Sequence, residues 1–395
     1  MLTDSQREII QSTVPLLESG GEALTTHFYR IMLAEYPSVR PLFNQAHQAS
    51  GAQQRALANG VLMYARHIDR LEALGPLVST IVNKHVALQV QPEHYPIVGT
   101  CLLRAIREVL GEEIATDAVI EAWGAAYQQL ADILIGAEAG TYDALAEAPG
   151  GWRGARPFRV ARKVAESEEV TSFYLEPEDG QPVVTFRPGQ YIGLQLHING
   201  EELRRNYSLS AAPNGRSYRI SVKREKQGVA SSFLHDQIKQ GDTLSLFPPA
   251  GDFVLSECEK PLVLISGGVG ITPTLAMAEA ALEESARPVV FIHYARNPQA
   301  HAFGAQLDSW ADRYPNFRAR VVYEQGGEGA ARQPDAIGRP MLDHLREWLP
   351  GSSDVQAYFL GPKPFMAFIR RALRELGVPD DQARYEFFGP AEALD

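Results

Sequence analysis

The chain has 395 residues, of which 45% are hydrophobic and 22% charged, and its formal net charge is -11. This length predicts two or three globular domains rather than one core, and the composition argues against intrinsic disorder. The acidic balance disfavours binding to nucleic acid, and the two widely separated cysteines exclude a disulfide framework and a Cys-based zinc or iron–sulfur site.

The first part of the chain, residues 1–147, is predicted to be all α. Apolar residues recur there at intervals of three and four, the spacing of one face of a helix. Short connections between the helical stretches favour a compact helical domain. The recurring positions are Leu24, Phe28 and Met32; Leu57, Val61, Ala65 and Ile68; Leu77, Ile81, His85 and Leu88; Val98, Leu102 and Ile106; and Val119, Trp123, Tyr127, Leu130 and Leu134.

His85 lies on the apolar face of its helix, and two interpretations are open for it. One is a buried structural histidine that is hydrogen-bonded to backbone. The other is an axial ligand to haem iron, since a neutral imidazole in an apolar slot suits that role. Gln53 lies one helical turn before Leu57, which puts an amide donor beside an aliphatic wall, and Tyr29 supplies a second possible donor. Tyr29, Gln53 and Leu57 suit the distal side of a haem pocket.

A segment rich in Gly and Pro, residues 140–157, predicts a linker, and residues 148–258 are predicted to form a small antiparallel β-barrel. Turn residues separate closely spaced strand-like stretches in this region. The predicted strands are Arg159–Val164, Val170–Leu175, Tyr191–Ile198, Tyr207–Ser210 and Tyr218–Lys223.

Two short motifs in this barrel suit a flavin nucleotide. In Arg205-Asn206-Tyr207-Ser208, strand alternation sends the guanidinium and the phenol ring to one face, where they could meet a phosphate and a flavin ring. The segment from Gly228 through Val229, Ala230 and Ser231 leads into a helix whose free N–H groups could bind a pyrophosphate. Taken singly, the first motif is also an ordinary surface pair and the second an ordinary helix cap.

Residues 259–395 alternate between apolar strands and helical patterns, which predicts a doubly wound parallel sheet. A glycine-rich loop follows the first of these strands, where such sheets bind dinucleotides. Its residues are Gly267, Gly268, Val269, Gly270, Ile271, Thr272 and Pro273. The predicted strands are Leu262–Ser266, Val289–Tyr294, Ala319–Tyr323, Val355–Leu360 and Arg384–Phe387, and the first helix is predicted from Thr274.

The helical part resembles the globin domain of bacterial flavohaemoglobins. The resemblance implies that His85 is the proximal ligand of haem b and that Tyr29 and Gln53 hold bound oxygen. It also implies that Tyr95 and Glu138 support the proximal histidine from behind. The positions that carry it are Phe28, Tyr29, Phe43, Gln53, Leu57, Lys84, His85 and the Pro92–Tyr95 segment.

The remainder resembles the FAD and nicotinamide domains of ferredoxin-reductase-like enzymes, so the resemblance covers essentially the whole chain. It implies FAD bound near Tyr191 and the two barrel motifs, and NAD(P)H bound at the glycine loop. The C-terminal segment also fits flavohaemoglobins, with Phe388 covering the flavin and Glu386 between flavin and haem. That segment includes Glu386, Phe387, Phe388, Gly389 and Pro390. Many relatives have Cys where this chain has Leu360 and Phe387, which leaves the nicotinamide stacking geometry open.

The resemblance implies an NAD(P)H-dependent nitric oxide dioxygenase that converts NO and O2 to nitrate and so detoxifies NO. Lys84 and Glu386 are candidates for bridging or gating residues, or are solvated surface charges. Two alternatives stay open: a sensor or store for O2 or NO, and a haem-flavin reductase of alkyl hydroperoxides or of NO. The reductase part argues against a sensor, because a sensor needs no continuous supply of electrons.

Arg296, just past the second sheet strand, could meet the 2′-phosphate of NADPH or be a surface residue, and NADH is expected as the donor on family grounds. A lipid or azole could occupy a distal pocket walled by Leu57, Phe28 and Val61. No apolar run reaches the roughly 18 residues that a transmembrane helix needs. A cytoplasmic monomer without membrane insertion is expected.

Overall fold

The computed structural model describes residues 2–44, 48, 50–326, 332–389 and 394. Its first part is helical, and α1 begins with a capping box in which the side chains and backbone N–H groups of Thr3 and Gln6 bond reciprocally. The helices are α1 (Asp4–Ser12), α2 (Val14–Glu35), α3 (Ala52–Arg66), α4 (Gly75–Leu88), α5 (His94–Leu110) and α6 (Asp117–Glu147).

The helices bury an apolar core, in which α2 packs against α3 and α5 and α6 packs against α1. A second apolar cluster lies where α6 packs against α4 and α5. The apolar residues with the predicted helical spacing therefore lie on helix faces that pack into the core. Ile68, which was predicted on the same helix as Leu57, lies beyond the end of α3 at Arg66 but is still buried in this core.

The second part is an antiparallel sheet in the strand order β4-β3-β6-β1-β2-β5, with one helix, α7 (Val229–Asp236). An isolated bridge between Leu209 and Ile220 joins the end of β4 to β5, so the two edges of the sheet meet as in a barrel. The strands are β1 (Arg156–Ala165), β2 (Val170–Pro177), β3 (Tyr191–Ile198), β4 (Glu201–Ser208), β5 (Tyr218–Lys223) and β6 (Thr243–Leu246). The prediction of a strand at Tyr207–Ser210 was wrong in extent, because β4 begins six residues earlier with polar residues of an edge strand.

The third part is a parallel sheet in the order β10-β9-β8-β7-β11-β12. The chain moves outward from β7 to β10 and then returns to the other side of β7, which places a topological switch point between β7 and β11. The strands are β7 (Leu262–Gly267), β8 (Val289–Ala295), β9 (Phe317–Tyr323), β10 (Ala336–Ile337), β11 (Gln356–Leu360) and β12 (Ala383–Tyr385). The helices are α8 (Ile271–Glu284), α9 (Gly304–Arg313), α10 (Leu342–Trp348) and α11 (Lys363–Glu375). Helix α8 begins three residues before the predicted Thr274, and the last strand ends before the predicted Phe387.

Helix α4 packs directly on β3 and β4 of the second part. The α-carbon of Gly193 on β3 lies so close to the Ala87 carbonyl that a side chain there would collide with it. Arg204 on β4 donates to the carbonyls of Leu88 at 2.6 Å and Gln89 at 3.3 Å. In the part of the chain that the structure describes, no helix is long and apolar enough to cross a membrane. The predicted boundaries after residues 147 and 258 stay predictions.

Candidate active site

His85 lies in the last turn of α4, and its Nδ1 atom is 2.7 Å from Oε1 of Glu138 and 3.2 Å from the Tyr95 hydroxyl. Tyr95 donates to the same carboxylate oxygen at 2.6 Å. Within the described residues, Nε2 of the imidazole has no hydrogen-bond partner. Since Nδ1 faces the carboxylate, the ring presents Nε2 outward as a free lone pair, which is the atom that a metal takes.

Glu138 is only 2% exposed, so the carboxylate lies inside the helical domain. Glu138 lies well inside α6, which continues to Glu147, and its carboxylate contacts His85 on α4 and Tyr95 on α5. Burial and the hydrogen bond to Glu138 raise the pKa of Tyr95, so its hydroxyl stays protonated. The buried carboxylate is held by one phenol and one imidazole.

Tyr29, the predicted distal donor, lies on α2 and is 6% exposed. Its ring meets Phe28 and Phe43 edge to face, with ring centroids 4.9 and 5.6 Å apart. Burial raises the pKa of Tyr29, so the hydroxyl is a neutral donor at physiological pH. No residue of the described chain accepts a hydrogen bond from it, which leaves the hydroxyl for a ligand.

Gln53 and Leu57 lie one turn apart on α3, as the sequence pattern predicts, and both are partly buried. The side-chain amide of Gln48 donates to Oε1 of Gln53 at 2.8 Å, which leaves the Gln53 NH2 group as the available donor. Gln48 also accepts from Gln54 at 2.8 Å through its side-chain oxygen. Gln48 was not predicted as a site residue, because its amide is set beside Gln53 by the fold and not by a sequence motif.

These residues fit a haem group. A histidine has a committed Nδ1 and a free Nε2, as a haem ligand requires, and a buried hydroxyl without a protein partner is suited to be a distal donor. A separate apolar cavity of about 20 Å³ lies between α2, α3, α5 and α6 and is lined by Leu24, Val61 and Leu102 among others. It has room for a diatomic gas.

The flavin motifs of the second part also fit an anionic nucleotide. Arg205 is largely desolvated, which lowers the pKa of its guanidinium, and its described hydrogen bond is to the carbonyl of Arg204 at 2.7 Å. No carboxylate of the described residues pairs with it, so the charge is available for a phosphate. Burial raises the pKa of Tyr207 to about 12, so the phenol beside it is neutral.

The β3–β4 register separates the predicted flavin residues into two faces. Tyr191 lies opposite Ser208 and Gly193 opposite Asn206, whereas Tyr207 lies opposite Ile192. By alternation, Arg205 and Tyr207 share the inner face, and Tyr191, Asn206 and Ser208 share the face toward α4.

Helix α7 begins directly after Gly228 and has no side-chain cap. Its first-turn N–H groups are therefore free of a capping side chain, as a bound pyrophosphate requires. Val229 is 54% exposed, whereas Ala230 and Ser231 are buried. The Ser231 hydroxyl is used locally, because it donates to the Gly228 carbonyl at 3.2 Å and accepts from the Glu225 N–H at 3.1 Å.

The glycine loop lies at the switch point of the parallel sheet. Gly268 has a φ of +56°, and a side chain at Gly270 would lie 2.6 Å from the carbonyl of Leu360 on β11. Glycine is required at Gly270 because the loops after β7 and β11 touch there. Val269 completes the turn, and its carbonyl accepts from the Thr272 hydroxyl at 3.0 Å. Helix α8 starts at Ile271, with Thr272 and Pro273 in its first turn, and has no side-chain cap.

The C-terminal segment returns to the helical domain. Lys84, next to His85, donates to the carbonyl of Gly389 at 2.8 Å. Burial lowers the pKa of Lys84, and Glu386 and Asp252 oppose that shift. Burial raises the pKa of Glu386 to about 8.

The aromatic residues of this segment differ in exposure. Phe388 is 49% exposed, and the Phe387 ring lies 5.9 Å from that of Tyr385. An exposed aromatic face at Phe388 is free to stack on a planar ligand. Pro390 lies outside the described residues.

Arg296 follows β8 immediately, and its guanidinium forms an ion pair with Glu169 of the second part. The sequence left open whether this arginine is a phosphate ligand or a surface residue. In the structure its charge is matched by a carboxylate from another domain.

Three family models match successive parts of the chain: the globin model at residues 26–134, the oxidoreductase FAD-binding domain at 157–255 and the oxidoreductase NAD-binding domain at 264–371. A globin domain whose residues fit a haem group is thus joined to a flavin- and nicotinamide-binding reductase. This arrangement defines a haem- and flavin-dependent oxidoreductase, with haem b, FAD and NAD(P)H as its cofactors.

Two relatives named flavohemoprotein, from Pseudomonas aeruginosa and Pseudomonas putida, are each 66% identical over 395 residues, which covers all of this chain and all of theirs. The chain therefore belongs to the flavohaemoprotein family, also called flavohaemoglobins. A flavohemoglobin structure from Malassezia yamatoensis with bound FAD and heme is similar at a TM-score of 0.86 and 27% identity, over 98% of this chain and 100% of that chain. The FAD/NAD-binding domain of a nitric oxide dioxygenase from Vibrio cholerae is 37% identical at a TM-score of 0.56, over 60% of this chain and 100% of that chain.

Proposed function

We propose that this oxidoreductase is a nitric oxide dioxygenase that uses NAD(P)H to convert NO and O2 to nitrate. Two NO, two O2 and one NADH give two nitrate ions, NAD+ and one proton, so the two electrons of each hydride serve two turnovers. The observation that carries the proposal is the buried pairing of His85 with Glu138 and Tyr95. The name of the Vibrio cholerae relative supports it.

Haem b and FAD, when bound, supply the one-electron and hydride chemistry. His85 would hold the iron through Nε2, while Glu138 accepts the hydrogen bond from Nδ1 and makes the imidazole a stronger electron donor. An oxygen carrier gains nothing from such a push, whereas oxygen chemistry does. The buried carboxylate therefore favours turnover over storage.

On the distal side, Tyr29 donates a hydrogen bond to a diatomic substrate, and the Gln53 NH2 group provides a second donor. Both donors are oriented before the substrate arrives, because aromatic contacts hold Tyr29 and Gln48 holds the amide of Gln53. Leu57 and Phe43 exclude water from the site, which strengthens both hydrogen bonds.

The reductase residues have complementary tasks. Arg205 and the free N–H groups at the start of α7 would bind the FAD phosphates, and Tyr207 would lie against its ring system. The start of α8 would bind the pyrophosphate of the nicotinamide nucleotide. Lys84 and Glu386 connect the C-terminal segment to the histidine helix and hold the flavin side of the molecule against the haem side.

The test is electrode-monitored NO consumption by the haem- and FAD-loaded protein with NADH and O2, together with nitrate analysis. We expect one nitrate per NO, and turnover that requires oxygen. Tyr29→Phe should slow NO consumption by roughly 100-fold or more, in line with the loss of one preorganised donor.

Tyr64→Phe is the matched control, because Tyr64 is an equally buried phenol of the same domain whose hydroxyl donates to the Ala126 carbonyl at 2.9 Å. It should leave the rate of NO consumption near that of the unaltered protein. A reduced, oxygen-exposed protein that leaves NO unconsumed would contradict the proposal and favour a sensor or store. Oxygen-independent NO or hydroperoxide reduction would favour the reductase alternative.

A further inference from the structure

Arg296 occupies the position at which doubly wound sheets distinguish NADH from NADPH. It follows the last residue of β8, and β8 pairs with β7 up to Gly267 of the glycine loop. In such sheets an acidic residue near this strand end binds the ribose 2′-hydroxyl of NADH, or an arginine accepts the 2′-phosphate of NADPH. An arginine here, considered alone, favours NADPH.

Glu169 alters that expectation, because its carboxylate pairs with the Arg296 guanidinium across the interface between the barrel and the parallel sheet. The Glu169 side chain is 24% exposed and that of Arg296 is 58% exposed, so the carboxylate is the more enclosed partner. Two backbone hydrogen bonds fix the loop: the Glu168 N–H donates to the Gln299 carbonyl at 3.0 Å, and the Arg224 N–H donates to the Glu169 carbonyl at 2.7 Å. Glu169 is therefore held beside Arg296.

We propose that Glu169, a residue of the FAD-binding domain, makes the chain select NADH over NADPH. Its carboxylate occupies the guanidinium that a 2′-phosphate would need, and it repels the phosphate, which carries a charge of about -1.5 to -2 at neutral pH. NADH has a neutral hydroxyl at that position and meets neither obstacle. The hydroxyl can instead donate to the carboxylate, as in other NADH sites. The selectivity concerns the reductase reaction and is independent of the chemistry at the haem.

The experiment measures kcat/KM for NADH and for NADPH with the FAD- and haem-loaded protein, using ferricyanide as the electron acceptor. Glu169→Gln should raise kcat/KM for NADPH roughly tenfold, because a like charge is removed and Arg296 is released. The value for NADH should fall by no more than roughly fivefold, because the neutral amide is a weaker acceptor for the ribose hydroxyl than the carboxylate. Calorimetric titration with adenosine 2′,5′-bisphosphate should show tighter binding to the variant, without any turnover.

Arg296→Ala breaks the same ion pair without releasing a cation, so it should give no gain for NADPH. The double variant Glu169→Gln/Arg296→Ala should gain less for NADPH than the single variant, because the repulsion is removed but no cation is released. Glu176→Gln is the matched control, since Glu176 pairs with Arg159 on the same domain at 3.1 Å and is half exposed. It should leave the NADPH to NADH ratio unchanged.

Two results would overturn the proposal. One is an unchanged ratio and unchanged bisphosphate binding in Glu169→Gln with full flavin content. The other is a loss of NADPH activity in Arg296→Ala alone, which would mean that Arg296 already binds the 2′-phosphate beside Glu169. If Glu169→Gln lost flavin, Glu169→Ala with restored flavin would provide the same comparison, and a ratio that stays unchanged there would overturn the proposal equally.

Discussion

The carboxylate behind His85 provides a quantitative test of the site. Glu138→Gln replaces the charged acceptor by a neutral amide of nearly the same shape, while α6 and the hydrogen bond from Tyr95 can persist. The imidazole Nδ1 then faces a weaker acceptor at a contact that now measures 2.7 Å. We expect His85 to become a poorer electron donor to the haem iron, which destabilises the ferric state relative to the ferrous state.

The magnitude follows from the strength of the bond. Hydrogen bonds to charged groups contribute about 1.5–3 kcal/mol and neutral ones about 1 kcal/mol. If about 1 kcal/mol of that difference distinguishes the two oxidation states, the one-electron midpoint potential rises by roughly 40 mV, since a tenfold change corresponds to 59 mV or 1.36 kcal/mol. Because Glu138 is 2% exposed, solvent cannot replace the lost charge, and the shift should persist in high salt.

The assay is spectroelectrochemical titration of the haem in the loaded protein, with the iron–histidine stretch followed by resonance Raman. The potential should rise and the stretch should fall in frequency. Tyr142→Phe is the control, because Tyr142 lies on α6 like Glu138, and its hydroxyl donates to the Val90 carbonyl at 2.8 Å instead of bonding to His85. An unchanged potential in Glu138→Gln, or an equal shift in both variants, would refute the electronic role of the carboxylate.

Two further predictions concern stability. Gly193→Ala should destabilise the contact between β3 and α4 by about 1–3 kcal/mol, because the added methyl group collides with the Ala87 carbonyl, and the Tm should fall. Gly136→Ala on α6 is the control, since a side chain there meets open space, and it should not lower the Tm. Burial lowers the pKa of His301 from 6.5 to about 4. As the pH falls from about 6.5 to 4, the histidine is protonated in the unfolded chain but not in the folded one, so the free energy of unfolding decreases. At most about 3 kcal/mol of unfolding free energy follows from that shift. His301→Asn, which can keep the bond to Tyr323, should flatten this dependence in urea unfolding, and an equally steep curve would contradict the assignment.

Hydrophobic periodicity predicted most of the fold, because each helix and each central strand buries a regular face. The fully buried strands β7 and β8 were placed nearly to the residue. The elements that were misplaced or missed have weak periodicity: β4 is a polar edge strand, β6 has four residues and β10 has two. Pairing with a neighbouring strand decides such segments, and pairing is not visible in a single sequence.

The site was predictable only where a motif is local. The glycine loop and the Arg205–Ser208 motif carry their chemistry in consecutive residues. Glu138 lies 53 residues from His85, so no spacing rule could assign it, and the resemblance to flavohaemoglobins pointed to it instead. The support of Gln53 by Gln48 and the pairing of Arg296 with Glu169 depend on packing between elements, which leaves no local signal.

The helix that carries His85 is also where the domains meet. Thr80 donates to the Asp252 carboxylate at 3.2 Å, and Asn83 accepts from the Gly251 N–H at 3.0 Å. These contacts and the bond from Lys84 to the C-terminal segment lie within about one and a half turns of the histidine.

At its C-terminal end, α4 presents carbonyl groups that carry the negative end of the helix dipole, and Arg204 of the flavin-binding domain binds them at 2.6 Å. Because Arg204 is next to Arg205 in β4, a single strand holds both a candidate flavin phosphate ligand and the histidine helix. Because the reductase and globin domains belong to one chain, electron delivery is intramolecular. The contact between β4 and α4 also fixes the orientation of the two domains, so no separate docking step is needed. The close backbone approach at Gly193 then explains why a residue without a side chain stands at the centre of that contact.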